Sequence, residues 1–293
     1  MVNADKTPST GAKTGPVEGS MKKTAALVLC VMLVVSSVGS AVASSSSYMS
    51  TTYYKIYYGS YSSVATALAN SVYLNAAYTA ASGVIGYSTS NKINIYFYSS
   101  PSSSTLGYTY AGQETIYINL YKGSSTSSSV LAAYGSTIAH ETGHVLFFDY
   151  TKLQNSYTYN VTWLTEALSY YIGDVAYAYG SKYSKSTISS YLNYYSSSGK
   201  TKQSWYTTGK NYYNGSVGGM EWYQLHAIGY FLENYGSGST SVKNLLTYLH
   251  NGTDFETAFS KAYGLSTGDT STTTSSSTNT LYSKYYYYWY GKY

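Results

Sequence analysis

The sequence predicts an α+β protein in which a small N-terminal sheet is backed by helices and the C-terminal half is mostly helical. Three observations lead to this prediction. Apolar residues recur at helical spacing from 64 to 81, whereas 92–98 and 115–121 alternate as strands do. Beyond residue 128, most apolar stretches again have helical spacing. The order of helix, two strands and long apolar helix indicates one sheet with helices packed against it.

The first elements follow from the pattern of apolar residues. A polar, tyrosine-rich segment from 44 to 58 precedes the first predicted helix, which covers 64–81. The alternating segments 92–98 and 115–121 are predicted strands, and Ser-Ser-Pro at 99–101 closes the first of them.

The second half of the chain is predicted to be a series of helices separated by glycines. These helices cover 161–179, 220–235, 241–250 and 254–263, with a weaker helical stretch at 187–195. Asp254 is a suitable N-cap for the helix that follows it. A Gly/Asn/Tyr loop is predicted at 206–219 and a flexible Ser/Thr-rich insertion at 266–278. The tyrosine-dense segment 281–293 is either a last helix packed on the domain or a sticky tail.

The N-terminus carries the pattern of an export signal. Two lysines at 22 and 23 precede an apolar run from 25 to 35, and Ala41-Val42-Ala43 is a cleavage site of the A-x-A type. We therefore expect 1–43 to be a leader and signal peptide, and the mature protein to be secreted or cell-surface. An uncleaved anchor helix is the alternative, but the run is short for a membrane span. No other segment is long enough for one, so we expect no stable span in the mature chain.

Composition narrows the chemistry that the chain can perform. Cys30 is the only cysteine and precedes the cleavage site, so disulfides and thiol catalysis are excluded from the mature chain. Thirteen Lys and ten acidic residues follow Ala43 without clusters, which argues against a nucleic-acid partner. Any metal site must therefore use His, Asp or Glu. The 42 tyrosines would suit an uncharged outer surface, as on cell-surface proteins.

The run His140-Glu141-Thr142-Gly143-His144 is an HExxH motif inside an apolar segment. Histidines four residues apart lie on one face of a helix, so both imidazoles can reach one metal ion. The glutamate between them projects beside that ion and can take a proton from an attacking water. A buried helix seldom carries two His and a Glu unless they are paired or ligated. The motif therefore predicts a zinc hydrolase, with Glu141 as its general base.

A catalytic zinc site needs a third protein ligand, and Glu166 is the best candidate. It lies in a predicted helix that begins about twenty residues after His144, which lets that helix fold back across the first. Asp149 and Asp174 are rivals. Asp149 is five residues past His144, where the helix turns it away from the metal unless the helix ends first. Asp174 lies two turns after Glu166 on the same face and would suit a supporting role.

HETGH at 140–144 followed by WLTEALSYY at 163–171 resembles the gluzincin clan of zinc metallopeptidases. The similarity is closest to compact peptidase MA-like domains, in which a W-L-x-E-G-x-A-x-Y pattern follows HExxH. Segments between 223 and 265 are similar to the C-terminal helices of that family, so the resemblance spans about 64–265. Two positions depart from the pattern: Ala167 replaces a glycine, and Tyr170 stands where some gluzincins carry an aspartate.

The resemblance implies a zincin-like fold, with a small mixed sheet over the HExxH helix. His140, His144 and Glu166 correspond to the zinc ligands, with one Zn²⁺ per chain, and Glu141 corresponds to the general base. Tyr223 is near the position of a residue that stabilises the transition state in relatives, and His226, one turn on, is its rival. The segment 115–121 would be the edge strand that pairs with the substrate backbone.

The predicted function is that of an exported zinc metallopeptidase, most simply an endopeptidase that acts on a peptide or protein substrate. Residues 44–265 would form the metallopeptidase domain, and 266–293 would add the Ser/Thr-rich insertion and the tyrosine-rich C-terminal segment. The alternative is a non-catalytic, tyrosine-rich adhesion protein built on a zincin scaffold. Loss of a motif residue would favour that alternative, and the motif is intact.

Overall fold

The computed structural model describes residues 47–103, 105–153, 161–176, 186, 188–190, 221–267 and 280–290. The strands in this part of the chain are β1 (Tyr48–Ser50), β2 (Tyr54–Tyr57), β3 (Ile93–Tyr98), β4 (Gly107–Thr109) and β5 (Thr115–Asn119). The helices are α1 (Ser62–Ala69), α2 (Tyr73–Ile85), α3 (Ser128–Thr151), α4 (Thr162–Ala176), α5 (Glu221–Asn234), α6 (Ser239–His250), α7 (Phe255–Tyr263) and α8 (Leu281–Tyr290). The predicted α+β class, with a small mixed sheet, is confirmed.

The five described strands form one sheet in the order β1-β2-β3-β5-β4. The three central strands run parallel, whereas β1 and β4 are antiparallel to their neighbours and form the two edges. Both predicted strands are present as β3 and β5. The structure adds β1 and β2, within the segment that showed no strand pattern, and the short β4. Tyr54 and Ile56 of β2 are fully buried, but tyrosines and serines around them hide the alternation.

The predicted helix at 64–81 is two helices, α1 and α2, with a break at Asn70-Ser71-Val72. The hydroxyl of Ser71 donates to the Leu68 carbonyl at 2.7 Å and accepts from the Tyr73 amide at 3.3 Å. A serine that bonds the neighbouring backbone on both sides replaces helix hydrogen bonds and so favours a turn. The apolar spacing continues across the break, which is why periodicity alone predicts one helix.

The core lies between one face of the sheet and the helices. Alternate strand residues are buried on this face, among them Ile56, Ile95, Ile116 and Ile118. Against them packs α3, which is buried around most of its circumference from Leu131 to Phe148. A helix that is enclosed on all sides has few tolerated polar positions, so those that it carries call for a structural or chemical reason.

Of the C-terminal helices, α5 packs on α4 and α6 packs on α3, while α7 packs on α6 and α8 packs on α5. Asp254 caps α7 as predicted, since its side chain accepts a hydrogen bond from the Thr257 amide at 3.0 Å. The tyrosine-dense segment is helical as α8, with Leu281, Tyr285 and Trp289 buried. The Trp289 indole donates to the Ala227 carbonyl in α5 at 3.1 Å. Of the two predicted alternatives for this segment, the packed helix is the one observed.

Within the described ranges, no helix is both long enough and apolar enough to cross a bilayer. The predicted leader at 1–43 and the predicted loop at 206–219 lie outside the described residues, as do 268–278 of the Ser/Thr-rich insertion and most of the weak helix at 187–195.

Candidate metal centre

The HExxH motif occupies the middle of α3, where the helix is enclosed by protein. His140 is 6% exposed and His144 is 1% exposed. Their Nε2 atoms are 3.1 Å apart, so the two imidazoles point to a common site, as the four-residue spacing predicts. Burial lowers the pKa of His140 to about 4, which favours the neutral imidazole whose lone pair can bind a metal ion.

Glu166 reaches the same site from α4. Its two carboxylate oxygens lie 3.5 Å from Nε2 of His140 and 3.5 Å from Nε2 of His144. Among the described residues, these three form the one group of His, Cys, Asp or Glu side chains that converge closely enough to hold an ion. The structure therefore brings together the three residues predicted as metal ligands.

The separations fit a single tetrahedral ion. Two donors at about 2.0–2.1 Å from an ion, with a tetrahedral angle between them, lie roughly 3.3–3.4 Å apart. The observed distances of 3.1 Å and 3.5 Å are near that value, and a different oxygen of Glu166 faces each histidine. Both oxygens are fully buried, and the imidazole nitrogens at 3.5 Å lie too far away or at too poor an angle for a regular hydrogen bond. A buried carboxylate in that state is costly unless a cation compensates it, so the site fits a metal ion.

The charge state of Glu166 agrees with a ligand role. Burial opposes its charge, but the adjacent imidazoles of His144 and His140 outweigh burial and lower the pKa of this carboxyl to about 2. The oxygens are therefore negatively charged near neutral pH, which is the form that binds a cation.

Glycines let α3 and α4 approach closely enough for Glu166 to reach the histidines. A Cβ at Gly143 would lie 2.8 Å from the Ser169 hydroxyl and 2.8 Å from Cδ1 of Ile172. A Cβ at Gly173 would lie 3.2 Å from the Ser136 carbonyl oxygen. A methyl group at either position would force its neighbours to shift, so both glycines favour the close crossing of these helices.

The residue before Glu166 orients one of the histidines. Thr165 Oγ1 lies 2.9 Å from Nδ1 of His144, and both residues are buried. A hydrogen bond at Nδ1 fixes the ring and leaves Nε2 to face the metal site. Sequence reasoning left this partner unassigned. Thr165 could have been proposed as such a partner, because it precedes the third ligand on a helix predicted to fold back across the motif.

An aromatic ring packs on the other histidine. The ring of Tyr170 lies 4.6 Å from the His140 ring and 4.6 Å from the His226 ring. The position where some gluzincins carry an aspartate is thus used for packing between two imidazoles. This contact restricts the His140 ring by shape.

Glu141 is buried beside the metal site, and its Oε2 has no hydrogen-bond partner in the described part of the chain. Burial, and after it the charge of Glu166, raises the pKa of Glu141 well above its ordinary value. Burial thus opposes the charged form of Glu141, and a cation held by the three neighbouring side chains would favour that charged form.

The edge strand next to Glu141 differs from the predicted one. We expected the segment 115–121 to be the edge, but β5 lies inside the sheet, between β3 and β4. The edge is β4, which is too short for its alternation to be recognised in the sequence. A Cβ on Gly107 of β4 would lie only 3.1 Å from Cγ and Oε1 of Glu141. The edge strand of the described sheet therefore lies directly against the proposed base.

The other predicted site residues do not belong to the converging group of three. Nδ1 of His226 is 2.6 Å from Oδ2 of Asp174, and both side chains are nearly buried. Asp174 thus supports His226 and does not approach the three ligands. Asp149 accepts hydrogen bonds from Tyr87 and Lys152 at the end of α3, away from the site. Tyr223 lies in α5, and its side chain is outside the described part of the structure.

No family model matches the chain, and neither a curated protein nor a solved structure shows a significant similarity to it. Inference about function therefore depends on the site itself.

Proposed function

We propose that this chain is a zinc-dependent peptidase of zincin-like fold, related to the gluzincins. One observation carries the proposal: a converging group of His140, His144 and Glu166, with Glu141 from the same motif packed against strand β4. Three ligands and a neighbouring carboxyl group are the parts that metal-assisted hydrolysis requires.

Zinc is the metal that this donor set favours. Two neutral imidazoles and one carboxylate are typical ligands of catalytic Zn²⁺, whereas Ca²⁺ and Mg²⁺ prefer oxygen ligands alone. With three protein ligands, a tetrahedral ion keeps one position open. When bound, zinc supplies Lewis acidity: it polarises a carbonyl group and makes water more acidic.

The chain's own residues supply the proton transfers. Glu141, which lies in the same helix turn as the two histidines, would accept a proton from the attacking water and return it to the leaving amine. His226, which is buried and paired with Asp174, would stabilise the oxyanion. Trp289 braces α5 next to His226 through the Ala227 carbonyl, which supports a fixed position for that imidazole.

The register of β4 determines which of its backbone groups face away from β5. The Asn119 amide donates to the Leu106 carbonyl, so Leu106 and Asn119 form a hydrogen-bonded pair. Because such pairs alternate along antiparallel strands, Tyr108 also bonds to β5, and the backbone groups of Gly107 and Thr109 point outward. Both residues are buried, so a substrate peptide would pair with these groups only after the chain that covers them moves aside.

The alternative of a non-catalytic adhesion protein explains the abundance of tyrosine, but not the buried charges. An adhesive surface has no need for a fully buried Glu166 and a nearly buried Glu141 beside each other. Two such carboxyl groups lower the stability of the fold unless a bound cation compensates their charge. Their presence is therefore better explained by a metal site with a catalytic role. We therefore favour the enzyme.

The test combines metal analysis with peptide hydrolysis by wild type, His140→Ala and Glu141→Gln. We expect one zinc per wild-type chain, none in His140→Ala, and a full complement in Glu141→Gln. Hydrolysis should need the metal and be lost in both variants. Metal-dependent hydrolysis that survives in Glu141→Gln would contradict the assigned base. A full zinc complement without hydrolysis of any peptide in a broad pool would contradict the peptidase.

A further inference from the structure

Three side chains of α4, Glu166, Tyr170 and Asp174, follow one another at intervals of four residues, so they lie on one side of the helix, a turn apart. Glu166 faces the two histidines of the metal centre. Oδ2 of Asp174 lies 2.6 Å from Nδ1 of His226. This side of α4 therefore serves both the metal centre and the residue proposed to stabilise the oxyanion, with Tyr170 between the two.

Tyr170 contacts one imidazole from each of two other helices. Its ring centroid lies 4.6 Å from that of His140 in α3 and 4.6 Å from that of His226 in α5, with the planes inclined by 63° and 37°. Such tilted arrangements are favourable for aromatic pairs at this separation. Tyr170 is 4% exposed, and in a close-packed interior a ring cannot shift without displacing its neighbours. The positions of the two imidazoles are therefore linked through one side chain.

The two histidines of the motif are held in different ways. The hydroxyl of Thr165 lies 2.9 Å from Nδ1 of His144 and orients that ring. Among the residues that the structure describes, none forms a hydrogen bond with Nδ1 of His140, and the Tyr170 ring packs against this imidazole instead. Histidines that bind metal ions usually have a partner that fixes the ring. For His140, the described contact that can do so is aromatic packing.

We infer that Tyr170 is a positioning residue that holds two imidazoles at once: His140 for metal binding and His226 for catalysis. The second role rests on the proposed peptidase function, whereas the first requires only a metal ion. Loss of the ring should release both imidazoles, so that zinc binding weakens through His140 and the reaction slows through His226. Because His226 would act on an oxyanion that forms only after the substrate has bound, the slowing should appear in kcat and not in KM.

Zinc affinity, measured by competition with a chelator, tests the first role. Tyr170→Leu and Tyr170→Met both remove the ring and keep much of its volume, so a folding defect in one still leaves the other. Each should weaken zinc binding by roughly tenfold. Tyr170→Phe, which keeps the ring, should bind zinc as wild type does. Equal losses in Tyr170→Phe and Tyr170→Leu, or wild-type affinity in both ring-free variants, would overturn the inference.

Tyr171→Leu is the matched control. Tyr171 is the next residue of α4, and its ring packs on that of Tyr230, with the centroids 5.0 Å apart. This variant also loses an aromatic contact of α4, so it should lower the stability of the fold but leave zinc affinity and kcat unchanged. An equal loss of zinc affinity would mean that any disturbance of α4 affects the centre, and this would contradict a specific role for Tyr170.

Kinetics at saturating zinc test the second role. Tyr170→Leu should lower kcat by about 10- to 100-fold with little change in KM, because a displaced group loses much of its effect on the transition state. In a His226→Ala background, the same substitution should lower kcat by less than about threefold, since the residue through which it acts is missing. An equal loss in the two backgrounds would show that Tyr170 does not act through His226 and would overturn the second role.

The zinc and kinetic measurements separate this inference from the proposed function. A loss of zinc affinity in Tyr170→Leu that Tyr170→Phe does not share, together with no hydrolysis by wild type, would support the first role. It would contradict the peptidase and the second role with it. Hydrolysis and zinc affinity that are the same in wild type and Tyr170→Leu would overturn the inference and leave the peptidase standing.

Discussion

Nδ1 of His144 lies 2.9 Å from the hydroxyl of Thr165, the residue directly before the third ligand. One turn of α4 thus contributes both a carboxylate to the metal site and a hydrogen bond that orients a histidine of α3. The two roles are coupled because both residues move with the same helix. A shift of α4 would misplace the ligand and its neighbour together.

Thr165→Val should weaken metal binding by about 10- to 100-fold, since it keeps the shape of the side chain and removes the hydrogen bond to His144. Titration with zinc against a competing chelator would measure the change. Thr165→Ser, which keeps a hydroxyl, should stay much closer to wild type. Equal losses in both variants would show that packing, not the hydrogen bond, matters at this position.

Gly143→Ala should also weaken metal binding, because its methyl group would meet the Ser169 hydroxyl and Ile172 and push α4 away. We expect a loss of stability of about 1–3 kcal/mol as well. Adding Ser169→Ala and Ile172→Val would remove the two contacts and restore much of the metal affinity. If that triple variant were no better than Gly143→Ala, the close approach of the helices would not be the reason for the glycine.

Gly107→Ala should lower kcat by about 10- to 100-fold while leaving the zinc content unchanged. The added methyl group would meet Thr137 at 2.8 Å and Glu141 at 3.1 Å, and a base displaced by even a fraction of an ångström loses much of its efficiency. Gly83→Ala is the matched control. No atom lies within 4 Å of its added Cβ, so in α2 it should stabilise the fold by about 0.5–1 kcal/mol. Full activity in Gly107→Ala would argue against a close fit between β4 and Glu141.

Glu233→Gln should stabilise the protein above pH 7. Burial raises the pKa of Glu233 to about 7 from an ordinary 4.5, with Lys243 opposing the shift, and its Oε1 accepts no hydrogen bond from the described residues. Between pH 4.5 and 7 the folded state binds more protons at this group than the unfolded state, so stability falls as the pH rises through that window. The glutamine side chain carries no charge, so Glu233→Gln should raise the free energy of unfolding at pH 8 by about 1–3 kcal/mol.

Denaturant unfolding of both proteins at pH 4 and pH 8 would measure the effect of Glu233→Gln, with a difference expected only at the higher pH. Glu114→Gln serves as the control. Glu114 is partly exposed and accepts hydrogen bonds from Thr89 and Asn91, so its amide variant should not be more stable at pH 8. If the stability of Glu233→Gln depended on pH as strongly as that of wild type, Glu233 would not be the source of the pH dependence.

The metal ligands could be predicted from local sequence pattern, whereas the edge strand of the sheet could not. The separation of His140 and His144 is a property of one helix, and the apolar residues around them indicate burial, so the sequence alone indicated two converging imidazoles. Glu166 could be proposed because a charged residue amid Trp163, Leu164 and Ala167 needs a partner. By contrast, β4 has three residues, and the choice between β4 and β5 as the edge depends on strand order, which no local pattern contains.

The sequence by itself determined the helical spacing of the motif, the α+β class and the residue types that can bind a metal, because these depend on neighbours within a few turns of chain. Only the tertiary structure decided that Thr165 orients His144, that Asp174 pairs with His226, and that Gly107 places strand β4 against Glu141. It also decided the strand registers, which align one tyrosine from each of the five described strands. These relationships join residues from separate elements, and their distances are set by helix crossing and strand register, which form only when the whole core packs.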